Sequence, residues 1–153
     1  MPEHRVGTQE EWQAERDRLL RFLRRNVRNV AFLTTDTHAN MVNDARLRTL
    51  EPGGPKDSGI LEVVTGPVAT KTFAREIDES VGIAGAGATI GRLFFKPGPP
   101  AGAGMRCVNL NVYSYAEIEV RRRTLTASLK DLNGNPVRDT GGGRCGPFRV
   151  RAR

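Results

Sequence analysis

The chain has 153 residues, 38% of them hydrophobic and 27% charged, with a formal net charge of +7. That is the size of one ordinary domain. No window approaches the ~18 uninterrupted apolar residues of a membrane span, and MPEHRVGTQEEW has no apolar stretch of the signal-peptide kind, so the chain as written is expected in the cytoplasm.

The charge is unevenly placed. Residues 1–30 carry seven basic and five acidic groups, residues 31–80 five and eight, and residues 81–153 twelve and four. A basic last third invites a nucleic-acid reading. Its arginines, however, interrupt or follow strand-like segments and lack interleaved aromatics on which bases could stack. Solvated arginines fit better, and a nucleic-acid partner is not expected.

Thr8 and Glu11 have the spacing of a capping box. Beyond them Trp12, Leu19, Leu20, Phe22 and Leu23 recur at helical spacing, with Arg18, Arg21, Arg24 and Arg25 between them. Acids in the first turn and arginines in the last complement the helix dipole, which predicts a helix over Gln9 to Arg25. Val30 to Thr35 then has the composition of a buried strand. Helix, turn, strand and polar strand end together make an α/β unit.

Met41 to Leu50 is expected to be another strand, Glu51 to Gly59 a turn or loop, and Ile60 to Thr65 a strand stopped by Gly66 and Pro67. Lys71 to Ser80 has helical spacing of Phe73, Ala74 and Ile77. Gly82 to Gly104 is rich in Gly, Ala and Pro and is expected to cross the fold partly ordered. Alternation from Val108 to Val120 predicts one long half-buried strand. A second strand follows through Leu125, Ala127 and Leu129, then a turn at Asn133-Gly134 and a short strand at Phe148 to Val150. The chain is expected to be a single region, with an α/β part over about 8–80, a crossing segment over 81–106 and antiparallel strands over 107–153.

Ligand chemistry is concentrated at one strand end. VAFLTTDTHANMVND, Val30 to Asp44, places Asp36 and His38 just past a predicted strand, where α/β proteins tend to bind ligands. Residues i and i+2 of an extended chain project to the same side. An oxygen and an imidazole there suit iron, manganese or zinc. Asn40, Asn43 and Asp44 add oxygens and are candidates to line the same site. A lone D-x-H is short, and a surface loop closed by a structural hydrogen bond is its commoner setting, so both readings stand. His4 lies near a free end and is expected to be disordered. Gly85-Ala-Gly87 with Gly91 is spaced GxGxxxG and departs from a dinucleotide loop. Neither cysteine has a neighbouring His to activate it, no serine has an elbow-type glycine context, and no catalytic residue is assigned.

Longer stretches resemble a known family. ERDRLLRFLRRNVRNVAFLTTDTH is similar to the helix and strand that lead into G-D-x-H in alkaline phosphatase D-like (PhoD-like) metallophosphoesterases. VND, ILEVVTGP, VYSYAEIEV and LTASLKDLNGNPV resemble the C-terminal portion of that family, in order over about residues 10–140. The resemblance implies a partial calcineurin-like α/β sandwich, a mixed sheet with helices ending in an antiparallel hairpin. It also implies a phosphate-ester substrate, iron and calcium as cofactors, and Asp36 and His38 as metal ligands. The metals would activate a water and neutralise phosphate oxygens.

Members of the family are typically secreted or held in the cell envelope, a setting in which Cys107 and Cys145 could pair; the residues alone leave that open. Two departures stand out. Thr35 replaces the glycine before the Asp, and a β-branched residue there disfavours positive φ. The family's upstream ligands have no counterpart in residues 1–35. The expectation is a C-terminal portion whose open strand edge and uncovered apolar surface call for an N-terminal half or for self-association.

Overall fold

Helix α1, Gln9–Asn26, begins where the capping box places it. Thr8 Oγ1 accepts from the Glu11 amide, and the Glu11 carboxylate accepts from the Thr8 amide. The computed structural model describes residues 7–49, 51–99 and 101–152, so His4 lies outside the described residues. Strands β1 (Ala31–Thr34), β2 (Asn40–Leu47), β3 (Lys56–Val64) and β4 (Cys107–Asn109) form a sheet in the order β1-β3-β2-β4. The β1–β3 pair is parallel, while β2 runs antiparallel to both β3 and β4. Strands β5 (Ser114–Arg121), β6 (Thr124–Asp131) and β7 (Phe148–Arg151) make a second, antiparallel sheet. The mixed sheet, its helices and the closing antiparallel strands agree with a partial α/β sandwich.

Three layers follow from the alternation of side chains. Val42, Leu61 and Val63 leave one face of the mixed sheet and pack with Ala127, Leu129 and Val137 of the second sheet's side. The Cys107–Cys145 disulfide sits in this core, with Cα atoms 5.4 Å apart. The opposite face is covered twice. Leu20 and Leu23 of α1 meet Ala45, Leu47 and Ile60, and α2 (Phe73–Val81) sets Phe73, Ala74 and Ile77 against Met41, Val64, Val108 and Leu110. Each fully buried Val, Leu, Ile or Met among them stabilises by about 1.5–3 kcal/mol.

The structure departs from expectation in several elements, β1 among them: it is an edge strand with Leu33 51% exposed, not a buried one. The strand read from Val108 to Val120 is two strands in two sheets, β4 and β5. Its supposed polar face contains the reason: Asn109 Oδ1 accepts from the Asn111 amide and Asn111 Oδ1 accepts from the Thr72 hydroxyl, so these side chains build a turn. Strand β3 starts at Lys56, earlier than its apolar run, because Ser58 and Gly59 form a bulge between the Ala45–Ile60 and Arg46–Asp57 pairs. Gly59 has φ +75°, which a side chain would resist.

Within α1 only Leu20 of the apolar residues is fully buried; Trp12, Leu19 and Phe22 are 59%, 52% and 56% exposed, on an adjoining side of the helix. The crossing segment contains a short helix α3, Ala86–Ile90, and a π-helical turn, Gly91–Phe95. Its glycine amides are already used: the Asp78 carboxylate accepts from Gly85 and Gly87.

Candidate functional site

Parallel strands β1 and β3 end together at Thr34 and Val64, tied one residue further by the Thr65 amide donating to Thr34 O. Past their carboxyl ends lies a recess of about 460 Å³ lined by Thr35, Asp36, His38, Thr65 to Val68, and Ser114 to Ala116. Its floor is built from hydrogen bonds. Asn40 is fully buried at the start of β2, and its Oδ1 accepts from the Gly66 amide and the Ser114 hydroxyl. A Cβ on Gly66 would sit 2.6 Å from Asn40 Nδ2 and 2.8 Å from Ser114 Oγ. Only glycine lets the backbone come this close.

The backbone above that floor is strained at the two residues of interest. Asp36 has φ +76° and His38 φ +53°, both in the left-handed region. The sequence placed this difficulty at Thr35, which is not among the described positive-φ residues. Strain of this kind costs of order 1–3 kcal/mol per residue and persists only when the surroundings enforce it. The enforcement at His38 comes from α2. The Phe73 amide donates to His38 O at 2.9 Å, and His38 Nδ1 lies 2.6 Å from Glu76 Oε1. An ionised carboxylate only accepts, so Nδ1 carries a proton, and in the neutral ring Nε2 then keeps its lone pair.

Of the five residues predicted to contribute, Asp36 and His38 share the recess, and Asn40 holds its floor from beneath. The other two are carried away by the period of β2. Asn43 faces the helix layer, where it lines a larger cleft of about 810 Å³ with Trp12 and Arg16. Asp44 faces the other way and pairs with Arg106 at 3.2 Å. Glu76 has no local signal in the sequence, being 38 residues downstream in a helix of ordinary composition.

Among the described residues, the larger cleft is lined by no histidine, whereas the smaller recess has both Asp36 and His38 on its wall. Metal-type atoms are brought together in one cluster among the described residues: Cys107, Asp139 and Cys145 come within 4.8 Å of one another. There the sulfurs are bonded to each other, and Asp139 accepts from the Val108 and Gly141 amides with Lys96 at 3.2 Å. No thiolate is present to bind a metal.

The sequence profile described as PhoD-like phosphatase matches residues 3–129. The chain belongs to the PhoD-like phosphatase family. Comparison with curated proteins and with solved structures gives no match. Membership makes the chain part of a phosphatase family, and the recess can be tested for the metal such chemistry uses. Its lining offers the Asp36 carboxylate and the His38 imidazole, and Thr65, which also lines it, has a hydroxyl oxygen that is buried with no hydrogen-bond partner. A carboxylate and an imidazole are donor types that suit a metal ion. Among the described residues, no helix is long and apolar enough to cross a membrane.

Proposed function

We propose that this PhoD-like chain carries part of a metal-dependent phosphoester-hydrolysing site, with Asp36 and His38 as ligands. The observation that supports it is their placement: the D-x-H of the family resemblance lines a recess at the carboxyl ends of two parallel strands. Asp36 would bind through its carboxylate and His38 through Nε2. When bound, iron and calcium would supply a water of lowered pKa and neutralise charge on the phosphate oxygens. The residues' own work is to hold the donors ready. The Asn40–Gly66–Ser114 hydrogen bonds fix the floor, and α2 fixes the imidazole.

Two strong donors do not complete a site for two or three metals. The remaining ligands are proposed to come from an N-terminal half or from a second molecule, with a phosphate mono- or diester as substrate. The buried Cys107–Cys145 bond suits an oxidising compartment. That favours the secreted or envelope setting of the family over the cytoplasm. A second reading, a binding module that keeps the sheets without turnover, is favoured by the same shortage of donors.

Hydrolysis of p-nitrophenyl phosphate and its bis-ester, with iron and calcium present, separates the two. The phosphoesterase reading expects turnover that falls in Asp36→Ala and His38→Ala by more than the ~10–100-fold typical of an outer-shell change. No turnover, or turnover equal in wild type and variants, would sink it for this chain.

A further inference from the structure

We infer that Glu76 is a positioning residue, which selects the imidazole tautomer of His38 and so leaves Nε2 as the ligating nitrogen. The inference rests on the reading of His38 as a metal ligand. It adds a residue that the D-x-H motif does not contain.

Three observations converge on it. The His38 Nδ1 to Glu76 Oε1 separation is 2.6 Å, a direct and close hydrogen-bond contact with a carboxylate acceptor. The two side chains are 30% and 40% exposed, so as a plain surface ion pair they would contribute little to stability. Glu76 also stands on a rigid platform. It lies in the first turn of α2, whose neighbours Phe73, Ala74 and Ile77 are packed in the core, and its own amide is bonded to Thr72 O at 3.1 Å.

The same helix grips the His38 backbone through the Phe73 amide. One element therefore fixes both the main chain and the ring of a residue held at positive φ. A ligating imidazole needs its second nitrogen bonded to an acceptor, because that bond sets both the tautomer and the ring direction. An isolated neutral imidazole favours the proton on Nε2, the nitrogen proposed to ligate. Glu76 reverses that preference.

The test uses the chain in wild type, Glu76→Ala and Glu76→Gln forms. Nitrogen-15 NMR of metal-free protein reads the tautomer of the neutral His38 ring, and calorimetric titration with Mn²⁺ reads affinity. Wild type is expected to hold the proton on Nδ1, Glu76→Ala to move it largely to Nε2, and Glu76→Gln, which keeps an acceptor oxygen, to restore it in large part. Affinity for Mn²⁺ is expected to fall about 10–100-fold in Glu76→Ala and by less in Glu76→Gln. An unchanged tautomer in Glu76→Ala would overturn the inference, and so would wild type with the proton on Nε2. Absence of Mn²⁺ binding in wild type would count against the ligand reading, while the NMR arm would still decide what Glu76 does. A purely structural role would lower the melting temperature and leave the tautomer in place.

Discussion

Asn40 and Gly66 show how little space separates the candidate chemistry from the core. The Asn40 amide oxygen accepts twice and its nitrogen faces Val112 O at 3.4 Å, so the side chain is a buried spacer between β2, the Gly66 turn and β5. Read from sequence, Asn40 was one more oxygen beside Asp36 and His38. Full burial turns it into the support for them. Gly66→Ala is expected to destabilise by about 1–3 kcal/mol, because the added methyl has buried polar atoms rather than a flexible chain end in its way. Chemical denaturation would check this, and a wild-type midpoint would show that the floor can yield.

At the scale of elements, α1 and α2 were legible from their helical spacing. Segments β1 and β2 were legible as strands, but β1 not as the exposed edge it is. Capping at Thr8 and Glu11 set the start of α1 to the residue. The failures came where side chains bond to backbone. Asn109 and Asn111 fit the polar face of a strand by spacing, yet they turn the chain between sheets. Asn43 and Asp44 were near Asp36 in sequence, and strand alternation sends them to opposite faces of the sheet. Glu76 was invisible because the contact that matters spans 38 residues.

Two loops are pinned by acids in a way that pH can read. The Asp78 carboxyl is held below its ordinary value of 3.8 by the Gly87 and then the Gly85 backbone amides. Asp131 is lowered first by the Asn135 backbone amide, with the Asn135 side chain and the Asn133 amide adding to it. Folded pKa values below the unfolded ones mean stability that is fully present above about 3.8 and is lost as pH falls through the folded values. Thermal melts from about pH 5 to about pH 2 should show part of the decline removed in Asp78→Asn or Asp131→Asn. Declines parallel to wild type in both variants would contradict this.

Across the whole molecule, four of the twelve basic residues of the last third are paired with acids: Arg121 with Glu119, Lys130 with Glu117, Lys96 with Asp139 and Arg106 with Asp44. More telling is the uncovered surface. Strand β1 has a described neighbour on one side only, and Leu33 on it is 51% exposed. Trp12, Leu19 and Phe22 add an apolar stripe along α1. Open edges and apolar stripes of this kind attract partners. The proposed self-association should therefore appear in light scattering as a concentration-dependent rise in mass, reduced in Phe22→Glu. A cooperative monomer at all concentrations would argue against it.

We propose that the strand end at Asp36 and His38 binds metal. Calorimetric titration of the chain with Mn²⁺, beside Asp36→Ala and His38→Ala, tests it most directly. Saturable binding in wild type that weakens by more than about tenfold in each variant is the expected result. No binding in wild type, or equal binding in all three, would contradict it.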